Sequence, residues 1–75
     1  MTTQEFNNYL KNNEFVSFEF SFMPINEVPA GRFIHAFGTF YKVLKSEEYF
    51  IRAENLHGEI EIISNKIKVS AITNI

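Results

Sequence analysis

The stretch Val16-Ser17-Phe18-Glu19-Phe20-Ser21-Phe22 alternates large apolar residues with small or charged ones. Side chains of a strand point to opposite faces with period two. Val16, Phe18, Phe20 and Phe22 therefore form an apolar face, and Ser17, Glu19 and Ser21 a polar one. A helix would scatter the four around its circumference. The stretch reads as a half-buried strand with its phenylalanines toward the core, and on that reading Phe20→Ala costs about 3–5 kcal/mol.

Upstream, Thr2 and Glu5 have the spacing of a capping box, and Phe6, Tyr9 and Leu10 then lie at i, i+3 and i+4. These signals predict a short helix over about 3–12, ended by Asn12 and Asn13 and docked on a sheet through that stripe. Downstream, Met23 to Gly31 holds two prolines and a glycine and reads as the longest loop. Arg32 to Leu44 is apolar in both registers, which predicts one long strand bending at Gly38 to serve two sides of a barrel. Lys45–Glu48, Asn55–Gly58 and Ser64–Lys66 read as turns around a third strand (49–53), a fourth carrying Ile60 and Ile62, and a fifth carrying Ile67, Val69 and Ala71. The expected fold is mainly β: a short N-terminal helix, then a five-stranded, strongly bent antiparallel small barrel of the Sm-like or SH3-like kind. An OB-like arrangement has similar ingredients.

Seventy-five residues make one domain, 1–75, and such a short chain leaves a thin stability margin. Nine phenylalanines and three tyrosines answer that limit. The absence of cysteine excludes a disulfide framework and thiolate metal sites. No apolar run approaches the roughly 20 residues of a membrane span, and the first residues lack the basic and apolar regions of a signal peptide. A cytoplasmic protein without membrane association is the expectation. Seven Lys and Arg against nine acidic residues give a net charge of −2, without the basic surplus usual in nucleic-acid binders.

Several pieces resemble the Sm-like fold, closest to its bacterial branch, the Hfq-type RNA chaperones. Gln4-Glu5-Phe6 with Tyr9-Leu10-Lys11 is similar to their opening helix. Val16–Phe20 is similar to their first strand, Gly38-Thr39-Phe40 to the glycine-centred bend, and Ile67–Ile75 to the closing strand with its Ala71-Ile72 step. The resemblance implies a homo-oligomer whose closing strand is an edge paired between neighbours, and a single-stranded RNA ligand. It also has departures. Val69 and Ser70 stand where that family carries a Lys-His pair, and Lys11-Asn12-Asn13-Glu14 replaces its arginine cluster.

No residue pattern speaks for catalysis. His35 and His57 lack ligand-spaced partners, Ser17 and Ser21 lack nucleophile-elbow glycines, and no phosphate loop is visible. No enzyme activity, cofactor or metal is expected. The binding candidates are aromatics interleaved with cations: Phe40, Tyr41, Lys42 and Arg52, with Lys66 and Lys68 as a second basic spot. Burial in the core competes with stacking for each aromatic. The turn at 45–48 sets Lys42 near Arg52, and Glu59 and Glu61 face Lys66 and Lys68 across the last hairpin as outward charges. Two readings follow. One is a non-catalytic Sm-like oligomer binding single-stranded RNA. The other is a protein-interaction module or small inhibitor of the phage or mobile-element type. It would meet a protein partner through Ile25 and Val28 of the 24–30 loop and an acidic surface.

Overall fold

The computed structural model describes residues 1–12 and 18–73. Val16 and Ser17 of the alternating stretch, Asn13 after the helix, and Ile75 of the closing strand lie outside them. Helix α1 spans Thr3–Asn12, and the strands are β1 (Phe20–Pro24), β2 (Phe33–Ala36), β3 (Thr39–Ser46), β4 (Phe50–Glu54), β5 (Ile60–Ser64) and β6 (Lys68–Ile72). The fold is mainly β with one N-terminal helix, as the sequence predicts. The strands form one antiparallel sheet in the order β1-β6-β2-β3-β4-β5, which is not closed.

Six strands stand where five were expected, because Arg32–Leu44 reverses at Gly38 instead of bending. Ala36 pairs with Thr39, leaving Phe37 and Gly38 as a two-residue turn with φ of 53° and 77°. Positive φ at both positions is the type I′ geometry, whose twist suits a tight hairpin. Glycine adopts it freely; phenylalanine does so at a cost. Beyond the turn, a bulge between Val43 and Lys45 shifts the register of β3 on β4.

The sheet must curl. β5 and β6 lie four positions apart in strand order, about 19 Å across a flat sheet. The link from Ser64 to Lys68 reaches at most about 14 Å. The inner face of the curl holds Ile34, Tyr41, Val43, Ile51, Ala53, Ile63, Val69 and Ala71, all buried. Ile25, on a 3-10 turn over Ile25–Glu27, and Val28 seal it from the end.

The outer face carries a second cluster beneath α1. Phe6 is fully buried and stacks on Phe33, with ring centroids 4.2 Å apart and planes 7° from parallel. Phe18 and Phe40 meet the Phe6 ring edge-on at 6.0 and 5.4 Å. The capping box forms as the sequence predicts: Glu5 N–H donates to Thr2 Oγ1, and Thr2 N–H donates to Glu5 Oε1. Thr2, through its backbone N–H and then its side chain, holds the Glu5 carboxyl below its ordinary range.

Two orientations differ from expectation. Phe20 and Phe22 do not enter the core; they are 54% and 71% exposed on the outer face, while Met23, of opposite parity, packs on the inner cluster. Alternation defines two faces without saying which is inside, and here both faces of the sheet hold apolar clusters. On β5 the same choice falls the other way: Ile63 is buried, so Glu61 shares its parity and Ile60 and Ile62 turn outward.

Candidate binding face

The predicted site residues separate. Tyr41 is a core residue, and burial together with nearby Glu61 raises its phenol above the ordinary range. Ile25 and Val28 are 0% and 4% exposed, which removes them as contacts of a partner loop; they seal the core instead. Lys42 Nζ donates to the Met1 carbonyl at 3.1 Å. The bulge sets Arg52 opposite Lys45, while Lys42 stands opposite Glu54. Arg52 and Lys45 share one oxygen of Glu47, at 3.4 and 3.5 Å, and the guanidinium lies over the Phe50 ring. Lys66 and Lys68 are exposed. They do not face Glu59 and Glu61 across a hairpin, because β6 pairs with β1 and β2 and not with β5. β6 is thus an interior strand, not the edge that the closing strand was expected to form.

Phe40 remains on the surface with neighbours the sequence reading did not group with it. Phe22 stands opposite Ser70, Ser70 opposite His35, and His35 opposite Phe40, so one row crosses β1, β6, β2 and β3. Residues directly opposite in antiparallel strands project to the same face. His35 is exposed, and its ring meets Phe40 edge-on at 5.0 Å. Phe40 is half-buried, wedged between His35 and Phe6 of the helix. Phe20 lies two residues from Phe22 on the same side of β1, and Lys68 lies two residues from Ser70 on β6. The face is therefore an aromatic row with a serine at its middle and a lysine at its flank.

Phe22 and His35 carry this face, whereas the sequence pattern assigns Phe22 to the core and gives His35 no binding role. The available signal was Met23, an apolar residue of the opposite parity on the same strand, which competes with Phe20 and Phe22 for the inside.

A cavity of about 180 Å³ opens near β1, between Met23, Val28, Pro29, Arg32, Ala71 and Thr73. Arg32 Nη1 donates to the Thr73 carbonyl at its rim, at 3.4 Å. His57 sits in the β4–β5 turn, where the Asn55 side-chain oxygen accepts from His57 N–H and Glu59 N–H, both at 2.9 Å. Among the described residues there is no group of His, Asp and Glu that could hold a metal ion, and no helix is long and apolar enough to cross a membrane. No family model, curated protein or solved structure matches the chain.

Proposed function

We propose that this chain is a non-catalytic binding module that seats an apolar segment of a protein partner on the row of Phe22, His35 and Phe40. The observation behind this reading is Phe22, 71% exposed beside Ser70 and the His35–Phe40 pair. A phenylalanine so placed adds little to folding, yet its burial against a partner contributes roughly 1.5–3 kcal/mol. Aromatic anchors of this kind dominate interface energetics. The net charge of −2 and the engagement of Lys42 and Arg52 by the chain's own oxygens favour a protein over a polyphosphate.

Single-stranded RNA is the second reading, and one observation favours it. His35 and Phe40 stand on a sheet face with Lys68 at its flank, an arrangement on which unpaired bases stack. That reading keeps the Sm-like resemblance and its oligomer.

Selection from a displayed peptide library separates the two. Apolar or aromatic peptides should bind the wild-type chain and lose at least about tenfold affinity on Phe22→Ser, a change of some 1.4 kcal/mol or more. Peptides indifferent to Phe22→Ser would overturn the protein reading. Oligo-U or oligo-A binding that falls steeply with salt and disappears on Phe22→Ser would establish the RNA reading in its place.

A further inference from the structure

The two edges of the sheet are built differently. β1 ends in Pro24, which has no N–H to offer a further strand. β5 reads Ile60-Glu61-Ile62-Ile63-Ser64, with one charge at Glu61 but no proline, lysine or register shift. Exposed edges ordinarily carry such guards against pairing.

The hydrogen-bond phase of β5 shows what its edge presents. Asn55 N–H donates to the Glu59 carbonyl at 2.9 Å, so Asn55 and Glu59 are a hydrogen-bonded pair. Alternation carries the same phase to Ala53–Glu61 and Ile51–Ile63. Ile60, Ile62 and Ser64 therefore aim their N–H and C=O groups away from β4, and among the described residues no strand lies on that side. The side chains of Ile60 and Ile62 are 59% and 56% exposed. Among the described residues, unpaired backbone and apolar side chains thus coincide on one edge.

We propose that β5 pairs with β5 of a second copy of this chain, antiparallel about a two-fold axis through Ile62. An isologous pair of this kind is self-complementary and closed. Centred on Ile62, every outward residue finds a partner: Ile62 meets Ile62, and Ile60 meets Ser64 at either end. Centring on Glu61 instead would set two glutamates directly opposite each other, which is repulsive. Charge favours the Ile62 register in a second way. It lays Glu59 of one copy beside the Asn65–Lys66 turn of the other, an acidic end against a basic one, and does so twice. The row of Phe22, His35 and Phe40 takes its residues from β1, β2 and β3 and none from β5.

Light scattering of the wild-type chain should give twice its 8.8 kDa mass. Ile62→Pro removes one N–H that the single chain does not use, a substitution edge strands tolerate. It should give the 8.8 kDa mass with an unchanged far-UV spectrum. Should that variant not fold, the double change Ile60→Lys and Ile62→Lys, at two exposed positions, should give the same single-chain mass. The chain has no cysteine, so Ile62→Cys should oxidise to a covalent dimer faster than Tyr49→Cys, which is more exposed at 74%. A wild-type mass of one chain would overturn the proposal. So would a dimer that persists in folded Ile62→Pro, or one that Phe22→Ser dissolves.

Discussion

Thr3 ties the helix to the sheet through Glu54. Its N–H donates to Glu54 Oε1 at 2.8 Å, and its hydroxyl lies 2.9 Å from the Glu54 carbonyl oxygen and 3.0 Å from the same carboxylate oxygen. Thr3 is fully buried, so these contacts satisfy polar groups that would otherwise oppose docking of α1.

That tie is pH-dependent. The Thr3 backbone N–H holds the Glu54 carboxyl below the ordinary glutamate value, although partial burial works against it. A carboxyl with a lowered folded-state pKa contributes stability above its unfolded pKa and loses it as pH falls through the folded value. Urea midpoints should therefore drop as the solution is acidified through and below pH 4.5. Glu54→Gln should lower the neutral-pH midpoint and flatten part of that acid decline. An unchanged acid decline in Glu54→Gln would show that the tie does not contribute.

Phe6 and Phe20 should give opposite results in the same assay. Phe6 is fully buried among Phe33, Phe18 and Phe40, so Phe6→Ala should cost about 3–5 kcal/mol. Phe20 is 54% exposed, so Phe20→Ala should cost about 1 kcal/mol or less, well under the cost a core position would give. Equal costs at the two sites would contradict the outward turn of β1.

The β2–β3 turn can be improved. Phe37 occupies the left-handed region, where a bulky side chain is strained, and its 6.5 Å edge-on contact with Tyr41 offsets part of that strain. Phe37→Asn creates the Asn-Gly pair preferred in type I′ turns and should stabilise by about 0.5–1 kcal/mol. Destabilisation by that change would show that the Tyr41 contact outweighs the strain.

Tyr41 should titrate late. Burial and nearby Glu61 raise its pKa above 10.0, so its neutral form is favoured in the fold. That contribution is complete below the unfolded pKa and is lost as pH rises through the folded value. Absorbance titration of Tyr41→Phe should lack a phenolate step above the ordinary tyrosine range that the wild-type chain shows. Identical curves would place the phenol in solvent.

Local chemistry was legible in the residues. Thr2 with Glu5 announces α1, Asn55 with Gly58 announces the β4–β5 turn, and the positions of β4, β5 and β6 follow from their apolar runs. Orientation and pairing were not. The alternation from Phe18 to Phe22 is equally satisfied by either face, and the decision depends on Met23, Ile72 and a helix packed over the far side. The reversal at Gly38 was hidden because Phe37 is a poor residue for a type I′ turn, so no Asn-Gly signal marked it. Strand order was hidden for a different reason. The three residues between β5 and β6 read as a hairpin turn, yet the curl lets the same short link cross to the other side of the sheet. The binding row depends on that order, since Phe22, Ser70, His35 and Phe40 come from four strands.

The pairing of β1 with β6 also sets a sequence of events. The strands from β2 to β5 are chain neighbours joined by short turns, whereas Phe20 must wait for Ile72. Such distant partners close late in folding, after the local hairpins have formed. β6 must dock on β2 before β1 has anything to add to. The strand that presents Phe22 should therefore lock last and release first, and its amides at Ser21 and Met23 should exchange with solvent sooner than those of β3. A ligand that grips Phe22 would slow that exchange, so the face would report its own occupancy through the rate at which one strand breathes.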